Sequence, residues 1–335
     1  MYKIIVLLAI FIVSFSSCET ITMKDDPENN PLSNFESLWN TVDQKYSFFD
    51  DKNIDWDSIY THYRSEIYDD IPEKELFDIF SEMLFALRDG HVNIISTWDV
   101  SRNWDWMLDY PANFNITNVE RNYLGKDYFR TGSLSNQIID SVGYIYYESF
   151  SSGINSTSID NVIERFKNLK GIIIDVRGNG GGSTSNVTTL VSRFTTEKYQ
   201  YGSFKQKNGP QHSDFSELSA LYQDLGGDYQ YTGKVVVLTN RGCFSATNDF
   251  VMRMKVLPNV TIMGDNTGGG GGFPIYCELP NGWRYRFSST VSYDLQGNNI
   301  EFGIEPDIRV ALNPMDEANG IDTMIEAALE YFQGS

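Results

Sequence analysis

The sequence has few of the residues that metal sites and nucleic-acid sites require. It contains three cysteines and three histidines in 335 residues, with no His-x-x-x-His or Cys-x-x-Cys spacing. We therefore expect neither a metal site nor a metal cofactor. Lysine and arginine number 26 against 45 acidic residues, so the formal net charge is -19 at pH 7. Because phosphate binding needs clustered cations, this balance excludes nucleic acid as an expected partner.

The sequence also lacks an apolar run long enough to span a membrane. At the N-terminus, Lys3 precedes an apolar run over Ile4–Val13, and small residues then lead to Cys18. This pattern predicts a signal peptide for export over residues 1–17. The small residues before Cys18 resemble a bacterial lipoprotein box, which predicts that Cys18 is lipidated and anchors the mature chain in a membrane. Cleavage nearby without lipidation is the alternative.

Residues 18–31 are polar and predict a tether between this anchor and the folded part of the chain. Within the tether, Lys24–Asp26 resembles the acidic sorting signals of surface lipoproteins in Bacteroidetes-type bacteria. We therefore expect the protein in the cell envelope of a Gram-negative bacterium, on the periplasmic or the surface side of its outer membrane. Cys243 and Cys277 remain after Cys18, and the sequence leaves open whether they form a disulfide there.

Residues 32–95 predict a small helical N-terminal domain. The segments "SNFESLWNTVDQKYSFF" and "IPEKELFDIFSEMLFALRDG" repeat apolar residues at helical spacing. Ser33 is the expected N-cap of the first helix, whereas Pro72 and Gly90 mark the start and the end of the last one. Residues 96–140 are rich in tryptophan and turn residues, so we expect an irregular connecting region.

Residues 141–335 predict an α/β domain. The segments "VGYIYYESF", "GIIIDVRG" and "GKVVVLTN" are typical of strands, and a helical pattern follows each of them. Strands that alternate with helices imply a sheet that is at least partly parallel. Ligands bind such sheets at the carboxyl ends of the strands, and two of those ends carry the glycine-rich "GNGGG" turn and the "RGCFSATNDF" turn.

Ser245 stands where the second of these turns enters a helix. Free backbone N–H groups at a helix start can hold an anion, so Ser245 could be a nucleophile with an oxyanion formed beside Ala246. The simpler interpretation is that Ser245 caps the helix. A serine nucleophile needs a base. His91 lies at a helix-to-strand junction suited to that role, whereas His62 and His212 have settings typical of surface or packing residues.

Five segments occur in order along the chain: "LRDGHVNI", "GIIIDVRGNGGG", "VVVLTNRGCFSATNDF", "GDNTGGG" and "NNIEFGIEPDI". In order and approximate spacing they resemble the tail-specific, or C-terminal-processing, serine peptidases, and most of all the tricorn-like branch, which uses a histidine. The resemblance extends over residues 32–330 and includes lipoprotein members from gut Bacteroidetes. It implies a crotonase-like α/β catalytic domain, a small helical N-terminal domain, and peptide hydrolysis by acyl transfer without a cofactor.

The resemblance also implies the catalytic residues. "GCFSATNDF" aligns Ser245 with the family nucleophile, which makes Cys243 a packing residue or half of a disulfide. "DGH" aligns His91 with the base of the tricorn-like branch. Glu301 in "IEFGIEPD" is the best match to the acidic residue of that branch, and Glu305 is the second choice.

The family builds its oxyanion hole from backbone N–H groups, which the resemblance assigns here to Ala246 together with Gly181 or Gly182. Two positions depart from the family patterns. Gly270 stands where members with a Ser–Lys dyad carry the lysine, which makes His91 necessary as the base. Gly90 stands where tricorn has a serine that links histidine to glutamate. Glu301 must then orient His91 directly, through water, or not at all.

Together these features predict a membrane-anchored serine endopeptidase that cuts a peptide or protein substrate with a Ser–His dyad or a Ser–His–Glu arrangement. The alternative is a catalytically inactive lipoprotein that binds peptides or another ligand on the same scaffold. An acyl-CoA enzyme of the crotonase type is a third possibility, and the export signal argues against it because coenzyme A is a cytoplasmic cofactor.

Overall fold

The computed structural model describes residues 27–102 and 109–334. The predicted signal peptide, Cys18 and most of the tether lie outside the described residues. Within the described ranges, no helix combines the length and the apolar character needed to cross a bilayer.

The N-terminal region is helical, as the apolar spacing predicts. Its helices are α1 (Pro31–Lys45), α2 (Phe49–Lys52), α3 (Trp56–Arg64) and α4 (Glu73–Phe85). The N-cap of α1 is Asn30, whose side chain accepts a hydrogen bond from the N–H of Ser33 at 2.8 Å. The expected cap, Ser33, is therefore wrong by one turn, because Pro31 already provides the first helical position.

The core of this region includes strands from far along the chain. A three-stranded sheet has the order β1 (Asn93–Ile95), β11 (Arg284–Ser288) and β10 (Pro274–Glu278), with both pairs antiparallel. Trp283 and Phe287 of this sheet region pack with Phe35, Phe80 and other apolar side chains of the helices in one buried cluster. The domain boundary at residue 95 stays a prediction, but the helices share one buried cluster with these later strands.

The larger part of the chain is built on a seven-stranded sheet. Its order is β13 (Ile308–Arg309), β9 (Val260–Gly264), β8 (Val235–Thr239), β5 (Ile172–Asp175), β4 (Val142–Tyr146), β3 (Leu134–Ile139) and β2 (Phe129–Thr131). Neighbours from β13 to β4 are parallel, whereas β3 and β2 are antiparallel. The prediction of an irregular region over residues 96–140 is therefore wrong at its end, where β2 and β3 join the sheet.

Helices cover both faces of this sheet. On one face, α6 (Ser156–Phe166), α7 (Thr184–Val191) and α8 (Ala246–Lys255) pack on alternate residues of β5 and β8. On the other face lie α5 (Ile116–Val119), a π-helical turn over Glu120–Leu124 and the closing helix α10 (Thr323–Gln333). β5 and β8 are buried along their whole length, which explains their continuous apolar sequences. The predicted α/β class is confirmed.

The remaining elements complete the structure around this sheet. They are an antiparallel sheet of the order β12 (Thr290–Asp294), β6 (Tyr199–Gln206) and β7 (Ser219–Gln223), a 3₁₀ turn over Ile300–Phe302, and helix α9 (Pro314–Ala318). Because β5 pairs with β8 in parallel, with Asp175 opposite Leu238, the two loops that follow these strands leave the sheet side by side. The glycine-rich turn and the Ser245 turn are therefore neighbours.

A buried arginine fixes the loop after β5. Arg177 donates hydrogen bonds to Asp175 at 2.6 Å and to Asp322 at 3.0 Å, and all three side chains are fully buried. Asp322 is also the N-cap of α10. Since Arg177 lies in the sequence "DVRGNGGG", this ion triad holds the glycine-rich turn against the closing helix.

Candidate active site

Ser245 lies in the sharp turn between β8 and α8. Its backbone has φ 58° and ψ -120°, a combination that non-glycine residues rarely adopt and that marks a conformation held by its surroundings. The N–H of Ser245 donates to the carbonyl of Gly269 at 2.9 Å. The side chain does not cap the helix, and its Oγ lies 2.8 Å from Nε2 of His91 instead. The simpler interpretation of Ser245 as an N-cap is therefore wrong.

His91 approaches Ser245 from the N-terminal helical region, at the junction between α4 and β1. The residue is only 4% exposed, and its ring contacts Phe244 at a centroid distance of 4.8 Å. The pKa of His91 is lowered to about 4, chiefly by burial; Asp89 opposes this effect, and the charges of Arg286 and Lys52 add to it. The imidazole is consequently neutral near pH 7, the form that can accept a proton.

The carboxylates around His91 differ from the predicted arrangement. Glu301 accepts hydrogen bonds from Lys52 Nζ at 2.7 Å and from the N–H of Gly271 at 2.9 Å. Nδ1 of His91 has no hydrogen-bond partner among the described residues. Direct orientation of His91 by Glu301 is therefore wrong in this structure, because no hydrogen bond joins the carboxylate to Nδ1 and its two oxygens accept from Lys52 and Gly271 instead. The second choice, Glu305, is exposed and does not replace it.

Sequence reasoning missed Asp89, the carboxylate beside the His91 ring. Its Oδ1 accepts a hydrogen bond from the N–H of His91 at 2.8 Å and lies 4.0 Å from Nδ1 of the ring. The sequence contains a pattern that could have identified Asp89, because it stands two positions before the candidate base in "RDGH". Lys52, which lies 3.8 Å from Asp89 and bridges it to Glu301, was also missed, and no local pattern in the sequence marks it.

The groups predicted for the oxyanion hole are only partly available. The N–H of Gly181 donates to Oδ1 of Asn179 at 3.0 Å, so the expected use of this N–H for an oxyanion is wrong. Gly181 nevertheless lies against the Ser245 turn. Ala246 is the first residue of α8, where the N–H has no carbonyl one turn earlier to accept it. Gly182, which also lines the cleft, has φ 140° and packs against the backbone of Phe150.

Cys243 and Cys277 are both free thiols. Cys243 is buried, and its Sγ donates to the carbonyl of Val176 at 3.1 Å. Burial raises the pKa of the Cys243 thiol to about 12, so a nucleophilic thiolate does not form near neutral pH. Cys243 is therefore a packing residue, as one of the two predicted alternatives has it. In the part of the chain that the structure describes, no three metal-ligating side chains cluster together.

A cleft of about 1150 Å³ opens over the Ser245–His91 pair. The glycine-rich turn over 180–184 forms one wall, and the loop over 270–274 with Tyr276 forms another. Arg241 and Tyr110 also line the cleft, and the guanidinium lies over the phenol ring at 3.8 Å from its centroid. A cleft of this size accommodates several residues of an extended peptide.

The sequence matches described protein families over most of this structure. Residues 141–310 match the family described as peptidase family S41, and residues 27–85 match the C1 domain of tricorn protease. The chain belongs to peptidase family S41. The S41 match contains Ser245 and Glu301, whereas His91 lies between the two matched segments.

Solved structures support the membership of this chain in the S41 family. A protein from Parabacteroides merdae, described as a candidate peptidase, is 44% identical over 91% of this chain and 97% of its own, with a TM-score of 0.86. Mature CPAF is 13% identical, with a TM-score of 0.64 over 91% of this chain and 95% of its own, and shows similarity of fold alone. The predicted family and fold are confirmed.

Among curated proteins, the carboxy-terminal processing protease CtpB of Bacillus subtilis is 27% identical over 172 residues. The match covers 51% of this chain but only 34% of CtpB, so the chain spans about a third of that relative's length.

Proposed function

We propose that this protein is a serine peptidase in which Ser245 is the nucleophile and His91 the general base. The observation that carries the proposal is the 2.8 Å contact between Ser245 Oγ and His91 Nε2. A neutral imidazole within hydrogen-bonding distance of a hydroxyl can take its proton during attack on a carbonyl. The strained turn at Ser245 presents this hydroxyl at the floor of the cleft, where a bound peptide is within reach.

Each proton transfer in the proposed reaction has a residue to perform it. As Ser245 Oγ attacks the peptide carbonyl, its proton moves to His91 Nε2, and the imidazolium then protonates the leaving amine. The N–H of Ala246 and the positive end of the α8 dipole stabilise the oxyanion, with the N–H of Gly182 as the second donor. A water molecule activated by the same imidazole then hydrolyses the acyl-enzyme.

The proposed substrate is a peptide or an unfolded segment of a protein. The walls of the cleft are formed largely by glycine-rich backbone over 180–184 and 270–274, which permits close approach of an extended chain. Arg241, Arg286 and the aromatic side chains that line the cleft supply the groups that distinguish substrate side chains.

One observation favours a second candidate, an inactive peptide-binding protein on this scaffold. Nδ1 of His91 has no hydrogen-bond partner among the described residues, although serine peptidases usually fix this atom with a carboxylate or a carbonyl. In this alternative the cleft binds peptides without cleaving them.

The two candidates differ in their reaction with a fluorophosphonate probe. We expect the purified protein to be labelled and to hydrolyse an unstructured polypeptide, and Ser245→Ala to lose both reactions while unfolding at the same temperature. Ser152→Ala, which removes an exposed hydroxyl outside the cleft, is the control and should keep both. An unlabelled wild type that still binds peptides would establish the inactive alternative.

We further propose that the protein is a lipoprotein of the Gram-negative cell envelope, anchored through Cys18. The supporting evidence is the sequence alone: the apolar run over Ile4–Val13 and the small residues before the cysteine. Metabolic labelling with a fatty-acid analogue should mark the wild type and spare Cys18→Ala. Equal labelling of both would contradict the anchor.

A further inference from the structure

Three charged side chains are buried together behind His91. Lys52 comes from α2, Asp89 from the α4–β1 junction, and Glu301 from the 3₁₀ turn, and their side chains are 5%, 0% and 5% exposed. Lys52 Nζ lies 2.7 Å from Oε1 of Glu301 and 3.8 Å from Oδ2 of Asp89. One cation thus bridges two carboxylates in surroundings where an uncompensated charge is costly.

The two carboxylates face different groups. Asp89 accepts a hydrogen bond from the backbone N–H of His91 and lies beside the His91 ring. Glu301 accepts hydrogen bonds from Lys52 Nζ and from the backbone N–H of Gly271, which lies in the loop that lines the cleft. Only Asp89 is therefore placed to stabilise positive charge on the imidazole. Oδ1 of Asp89 lies 4.0 Å from Nδ1 of the ring, the atom that has no hydrogen-bond partner among the described residues.

The ionisation of the two carboxylates agrees with this division. The pKa of Glu301 is raised to about 7, chiefly by burial and also by the charge of Asp89, against the opposing effect of Lys52. Burial would also raise the pKa of Asp89, but Lys52, His91 and the backbone N–H of His91 together bring it below its usual value. At neutral pH, Asp89 is thus ionised, whereas Glu301 is ionised only in part.

We propose that Asp89 is the residue that positions and stabilises His91, and that Lys52, held by Glu301, positions Asp89 and keeps it ionised. Glu301 then acts on the base through two intervening side chains, Lys52 and Asp89, rather than directly. This inference rests on the proposed peptidase function, because it assigns the support of the base in that reaction. The inference also gives α2 a part in positioning the base, although α2 is far in sequence from the residues that form the cleft walls.

An isosteric pair of variants tests the assignment of the carboxylates. We expect Asp89→Asn to lower kcat by about 100-fold or more with little change in KM, because only the charged transition state loses stabilisation. Glu301→Gln should keep kcat within about tenfold of the wild type, since its amide oxygen still accepts from Lys52. The reverse ranking of these two variants would overturn the proposal.

A double-mutant cycle tests whether Lys52 acts through Asp89. Lys52→Met should lower kcat, and Lys52→Arg, which retains the charge, should recover most of the loss. In the Asp89→Asn background, Lys52→Met should have little further effect on kcat. Additive effects would show that Lys52 acts elsewhere. Thermal unfolding of each variant shows whether a loss of kcat comes from a loss of folding. If Lys52→Met does not fold, the activity of Lys52→Arg still shows whether the charge at this position or its packing matters.

The titration of His91 gives a readout that does not depend on hydrolysis. The charged groups that act on its ring are Asp89, Lys52 and Arg286. Followed by NMR, the pKa of His91 should rise in Lys52→Met, fall in Asp89→Asn and stay in place in Glu301→Gln. If the wild type hydrolyses peptides but Glu301→Gln moves this pKa most, the inference alone fails. If the pattern holds in a protein that never reacts with fluorophosphonate, the peptidase proposal fails instead.

Discussion

Gly181 and Ser245 are in direct contact, although they lie in loops that follow different strands. A Cβ built on Gly181 would be 2.9 Å from the Cβ of Ser245 and 2.6 Å from the carbonyl oxygen of Phe244. Gly181 also has φ 100°, a conformation that side chains disfavour. The turn that carries Ser245 is thus supported by a residue that has room only for a hydrogen.

Gly181→Ala should therefore damage both the turn and the reaction. We expect it to lower the free energy of unfolding by about 1–3 kcal/mol because of the strained φ, and to displace Ser245 enough to abolish fluorophosphonate labelling. Gly153→Ala is the matched control, because a Cβ there meets no atom within 4 Å and its φ is not positive. Normal labelling of Gly181→Ala would contradict the contact.

The pH dependence of the reaction should report the buried state of His91. Its pKa of about 4, against 6.5 for a free histidine, keeps the imidazole neutral through mildly acidic solution. We expect the acid-side midpoint of kcat/KM near pH 4, measured with a substrate that does not itself titrate there. A midpoint near 6.5 would mean that the ring is exposed to water.

The same group links pH to stability with a definite sign. Between pH 4 and 6.5 the unfolded chain binds a proton at His91 that the folded chain does not bind. The contribution of His91 to the free energy of unfolding is therefore present above pH 6.5 and is lost as the pH falls toward 4. Denaturant unfolding of the wild type and of His91→Asn at several pH values isolates this contribution as a difference.

The buried triad around Arg177 should matter far more for stability than an exposed ion pair. Arg177→Met leaves Asp175 and Asp322 buried without their cation, and we expect a loss of about 3–5 kcal/mol in the free energy of unfolding. Arg309→Met, which removes the 2.9 Å ion pair of a half-exposed arginine with Asp265, should cost less than about 1 kcal/mol. Similar losses in both variants, measured by denaturant unfolding, would contradict the role of burial.

Because Cys243 and Cys277 are free thiols, reducing agents should not change the stability of the protein. We expect the same unfolding temperature with and without dithiothreitol, since Cys243 and Cys277 form no disulfide. Under native conditions an alkylating reagent should modify Cys277, which is half-buried, and spare Cys243 until the chain unfolds. Mass spectrometry of the alkylated protein counts the thiols. A native modification of Cys243 would show that the turn before Ser245 opens.

Local sequence patterns sufficed to predict the elements that depend on local interactions. The continuous apolar runs at β5 and β8 identified buried parallel strands, and the turns after them identified the edge of the sheet at which Ser245 lies. The proximity of His91 to Ser245 followed from ordered motifs rather than from periodicity. Its role remains a proposal, whereas the contact between the two side chains is a feature of the structure.

The features of the site that the sequence could not predict depend on polar groups that have several possible hydrogen-bond partners. Glu301 could have held His91, but Lys52 and Gly271 compete for its oxygens, and neither is marked by any local pattern. The N–H of Gly181 points to Asn179, a preference set by the shape of one loop. Long-range packing could not be predicted either, because the helical spacing of apolar residues in α1 and α4 does not indicate that these helices pack against Trp283.

The shared core of the N-terminal helices and β11 has a consequence for the timing of activity. His91 is synthesised early, but it is held by helices whose apolar faces are completed only by side chains such as Phe287, which come after Ser245 in the chain. A chain synthesised only as far as Ser245 contains both Ser245 and His91 but still lacks β11, whose side chains complete the packing around the helices before His91. The contact between the two side chains can therefore be held in place only after residues 284–288 have been added.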